Sequence, residues 1–173
     1  MKTYLNENSF LSLVSSAVEV YPNETLGILI GIKSQDKIQV QYAVPYQTAK
    51  RSKDEVEVTP LKERRLNKFL TKTTALEIVG DFHSHSEYEV SRDGYKLSLK
   101  DKSSMKRGGL GIVIVISKDK KRREWRHLSK GSLLGSIYPY RSRITSWFAE
   151  GDQQSKRFSI SDIFCPFALG LNR

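Results

Sequence analysis

Two histidines separated by one residue, His83 and His85, are the first chemically suggestive feature of the sequence. They end an apolar run, Leu76 to His85, that reads as a strand closing in polar residues. Alternate strand residues face the same side, with Cα atoms roughly 6.6 Å apart, so two such imidazoles can converge on one zinc ion. An isolated pair of this kind is more often two ordinary polar residues at a strand end.

Ser98 and Asp101 add a second pattern, three residues apart at a predicted helix start, where both share a face. Asp101 can then serve as an oxygen ligand while Ser98 points at the same cavity. The same spacing is also that of a capping box, in which serine and acid satisfy the helix's free amides. Both roles are compatible. Glu24 stands between Pro22 and the apolar run LGILIGI, and alone it reads as a solvated loop carboxylate.

In combination these residues resemble the JAMM, or MPN-plus, family of metalloisopeptidases: a Glu near the first strand, then HxH, then SxxD. The matching segments are Pro22-Asn23-Glu24 with the strand Thr25 to Gly31, Val79 to His85, and Ser98 to Asp101. The resemblance spans about residues 8 to 117. It implies a JAB/MPN fold, a mixed α/β sheet flanked by helices in a layered, cytidine-deaminase-like arrangement. It further implies one zinc ion held by His83, His85 and Asp101, with Glu24 activating water and Ser98 stabilising the oxyanion. The implied substrate is a peptide or isopeptide bond at the tail of a ubiquitin-like or sulfur-carrier protein. Two departures stand out. Ser86 replaces the proline usual after the second histidine, and twelve residues separate His85 from Ser98 where the family usually has seven. The longer loop, Glu87 to Leu97, carries a rival carboxylate, Asp93, whose spacing from Ser91 does not fit the motif.

The elements that must position these groups are legible to differing degrees. Phe10, Leu13, Val14, Ala17 and Val18 form one helical stripe that Pro22 stops. Leu26 to Ile32 and Ile38 to Val44 read as two strands, with a short one at Val56 and Val58. Thr59-Pro60 opens a second helix, whose buried face is expected to be Leu61, Leu66, Phe69 and Leu70. A third is expected over Ser98 to Arg107, ended by Gly108 and Gly109, before the β-branched strand Leu110 to Ile116. Arg123 to Leu128 looks like an outer strand, and residues 132 to 162 show no clean period.

At 173 residues the chain is read as one domain, residues 1 to 173. Its single cysteine, Cys165, excludes an internal disulfide and a thiolate zinc cage. No apolar run reaches the roughly 20 residues of a membrane span, and the N-terminus lacks the apolar core of a signal peptide, so a cytoplasmic protein without membrane contact is expected. The excess of 29 Lys and Arg over 19 Asp and Glu, net +10, favours anionic partners without choosing among them. Nucleic acid is one, through a basic segment around Trp125 and His127, although a solvated hairpin is the simpler reading there. A non-catalytic scaffold of the same fold is the other alternative.

Overall fold

The computed structural model describes residues 1–53, 55–86, 95–128, 131–151 and 155–172. Asp93 and most of the long loop lie outside these residues. The first helical stripe is α1, Glu7–Val20, capped by Asn6, whose side chain accepts the Ser9 amide at 2.8 Å. Phe10, Leu13, Val14 and Ala17 are buried, as their spacing requires. This helix touches both β3 (Lys37–Pro45) and β7 (Leu110–Lys118), although β2 (Leu26–Lys33) and β6 (Glu77–Ser86) lie between them in the sheet. The sheet therefore curls around α1.

The remaining strands complete the curl. β1 (Lys2–Leu5) pairs in parallel with β3 and with β11 (Arg157–Phe164), and β11 pairs with the second half of β10 (Tyr140–Glu150). The order β11-β1-β3-β2-β6-β7-β10 thus returns on itself through β10 and β11. The first half of β10 instead carries β9 (Leu133–Ile137) and then the two-residue edge strand β8 (Arg126–His127). A mixed sheet with helices was expected, and it is present; its closure was not anticipated. Among the described residues, no helix is long and apolar enough to cross a membrane.

Two packing expectations are corrected. Helix α2 (Pro60–Thr73) buries no residue: Leu66 and Leu70 are only half-buried, while Leu61 and Phe69 are 65% and 59% exposed. Residues five apart on a helix are about 140° apart, so Leu61 cannot share the face of Leu66. Trp125 is buried, meeting Phe10 edge-on with ring centroids 5.0 Å apart, so its ring is not available to stack on a base. The outer strand over Arg123 to Leu128 shrinks to β8, where His127 is exposed as expected.

Helix α3 is Leu99–Ser104, shorter than its sequence pattern, because Met105 leaves it to enter a second apolar cluster with Leu97, Val113 and Ala149. α4 (Pro166–Gly170) closes the chain against α1. A small hairpin, β4 (Lys50–Arg51) with β5 (Val56–Glu57), precedes α2.

Candidate metal centre

β6 lies between antiparallel β2 and parallel β7, and its C-terminal half carries the histidines. Gly80 allows this close approach, since a Cβ there would run into the Leu110 carbonyl. Alternation sends Phe82 and Ser84 to one side, where both are fully buried, and His83 and His85 to the other. Register partners His83↔Val113 and His85↔Val115 share that second face, so the cluster containing Leu97 and Met105 packs beside the imidazoles. Those two residues flank α3 in sequence. Their burial carries Asp101 to the histidines across the long loop.

The resulting geometry is tight. His83 Nε2 lies 3.1 Å from His85 Nε2 and 3.6 Å from Asp101 Oδ1. His85 Nε2 is 3.9 Å from Glu24 Oε1. Among the described residues, His83, His85 and Asp101 form a group whose ligand atoms all lie within 4.8 Å of one another. Two imidazoles and a carboxylate are a catalytic-type zinc donor set, which leaves a fourth position for water or substrate. Burial, only partly opposed by Asp101, pushes His83 down to about 4, which keeps the imidazole neutral as a ligand must be. For Asp101, burial acts to raise the pKa, but His83 and the Ser98 hydrogen bonds outweigh it, and the carboxyl is held below its ordinary value.

Ser98 and Asp101 fill both roles that their spacing allows. The Ser98 amide donates to Asp101 Oδ2 at 2.7 Å and the Asp101 amide to Ser98 Oγ at 3.1 Å, a complete capping box. Asp101 Oδ1 is left pointing at His83. Ser98 Oγ accepts in this box, and its hydroxyl as well as its amide acts on the Asp101 carboxylate to hold it ionised.

Glu24 is not a solvated loop carboxylate. It is 6% exposed, and its amide donates to the Ser52 carbonyl of the β4–β5 hairpin at 2.9 Å. The next residue, Thr25, exchanges two hydrogen bonds with Ser84, the residue between the histidines.

The family-model match covers residues 6–128, to prokaryotic homologues of the JAB domain. The chain belongs to that family. No curated protein matches it. Among solved structures, this JAB domain resembles the solution structure of protein DSY2949 from Desulfitobacterium hafniense, with a TM-score of 0.61 at 17% identity. That match covers 94% of this chain and 92% of the other. At that identity the likeness speaks to fold alone.

Several groups at this JAB site carry no motif signature. Asp81 precedes His83 by two residues on the same strand; burial first, then repulsion from Asp101 and Glu63, raises its carboxyl to about 7. Alternation from His83 was the one available signal. Lys100, beside Asp101, forms an ion pair with Glu55 and so ties α3 to the β4–β5 hairpin. Both partners are largely exposed, and the pair contributes little stability.

Proposed function

We propose that this JAB domain is a zinc-dependent hydrolase of peptide or isopeptide bonds, acting on the C-terminal tail of a ubiquitin-like or sulfur-carrier protein. The observation that carries this reading is the convergence of His83, His85 and Asp101, with the Glu24 carboxylate 3.9 Å from His85. The two histidines and Asp101 would hold the ion. Bound zinc supplies a Lewis acid that brings the pKa of water toward about 7.

The chain's own groups do the rest. Glu24 takes the proton of the attacking water and passes it to the leaving amine. Its burial keeps the carboxylate in a poorly solvated setting where each charge interaction is strengthened. The Ser98 hydroxyl donates a hydrogen bond to the oxyanion of the tetrahedral intermediate. An extended substrate tail would add as a strand to a sheet edge and lead its terminal carbonyl to the site. No covalent acyl-enzyme is required.

Mass-spectrometric metal analysis, paired with cleavage of ubiquitin-like fusion proteins, tests this reading. Zinc near one equivalent and chelator-sensitive cleavage are expected; a metal-free protein that cleaves nothing would leave the non-catalytic scaffold. A nucleic-acid role has the exposed cations of α2 in its favour but not Trp125. Salt-insensitive or absent binding to DNA would dismiss it.

A further inference from the structure

We propose that Lys156 is a positioning residue for Asp101, holding α3 in the one orientation that keeps the carboxylate on the histidines. The proposal rests on the metal-centre reading above. Helix α3 has six residues, none of them buried, and a helix this short does not hold itself in water. The Asp101 carbonyl takes the Met105 amide and the Ser104 hydroxyl, but the carbonyls that follow it are past the reach of the helix's own amides. Lys156, just before β11, reaches them from another part of the chain. Its Nζ lies 2.9 Å from the Met105 carbonyl oxygen and 3.3 Å from those of Lys102 and Ser103. An ammonium has three N–H donors, matching three acceptors, and its charge is favourable at a helix C-terminus.

Leu97 and Met105 pin the two ends of α3 in the second apolar cluster, but a rod pinned at its ends can still roll. A side-chain tip lies about 5 Å from a helix axis, so a roll of about 10° moves it by about 1 Å. Zinc ligands tolerate about 0.2 Å. Lys156 grips carbonyls distributed around the last turn, and so opposes that roll.

The test uses the full chain with Lys156→Met, which keeps the apolar stem and removes the donors, and Lys156→Arg, which keeps both charge and donors. Zinc affinity is measured by competition with a chromophoric chelator, and amide exchange is followed across residues 99–104. Lys156→Met should weaken zinc binding about tenfold or more, the scale typical for loss of a ligand's outer support, and speed exchange in α3. Lys156→Arg should stay within about threefold of the parent. Affinity within about threefold in Lys156→Met, or weaker binding with unchanged exchange in α3, overturns the proposal. If Lys156→Met does not fold, Lys156→Gln supplies the comparison. A parent that takes up no zinc sinks the metal-centre reading instead; the exchange data then decide alone whether Lys156 holds α3.

Discussion

Ser84 and Thr25 exchange two hydrogen bonds: the Ser84 amide donates to the Thr25 carbonyl at 3.0 Å, and the Thr25 amide donates to Ser84 Oγ at 2.9 Å. One partner sits between the two histidines and the other follows Glu24, so this pair ties the segment that carries the Glu24 carboxylate to the strand that carries the imidazoles. Ser84→Ala keeps the amide bond and orphans the buried Thr25 amide, at a cost of about 1 to 3 kcal/mol. Zinc content should persist while turnover falls, because Glu24 is less well placed. Zinc analysis and single-turnover cleavage check this; parental turnover would show that the pair does not place Glu24.

Replacing His83, His85 or Asp101 by alanine should remove zinc and activity while leaving a folded domain. Circular dichroism with mass-spectrometric zinc content is the measurement. Full zinc in Asp101→Ala together with loss in Asp93→Ala would move the third ligand into the long loop.

Glu24→Gln separates proton transfer from metal binding, since it keeps the shape and removes the base. The variant should hold zinc as the parent does. Turnover should drop by about 10² to 10⁴, the usual contribution of a general acid-base group. A folded variant that has lost zinc would make Glu24 a ligand or the support of one.

Asp81 should make the metal-free protein pH-sensitive. Its carboxyl is raised in the fold from 3.8 to about 7, so between those values the native state binds more protons than the unfolded chain. Its contribution to stability is therefore full below about pH 4 and is lost as pH rises toward 7. Asp81→Asn should stabilise the chelator-treated protein at pH 8 by between about 1 and 4 kcal/mol and change little at pH 4. Denaturant melts at the two pH values measure it, and equal effects at both would refute the assignment.

The sequence by itself determined the features that repeat within a few residues. The α1 stripe, the apolar strands β6 and β7, the same-face histidines and the Ser98–Asp101 cap follow from helical and strand periods, which are local properties of the backbone. β10 escaped such reading because Ser142, Thr145 and Ser146 are buried beside Ile144 and Phe148, so its inward positions are partly polar and no apolar alternation marks it. In α2, apolar content does not amount to burial: its four large apolar residues do not fall on one stripe, and two of them face solvent. Only the tertiary structure decided which distant segments meet. Sheet order sets β2 beside β6 and brings Glu24 to His85, 61 positions later in the sequence, while burial of Leu97 and Met105 returns Asp101 to His83. Lys156 reaches α3 only because β11 pairs with β10 beside that cluster, a contact set by closure of the sheet and by no short-range pattern.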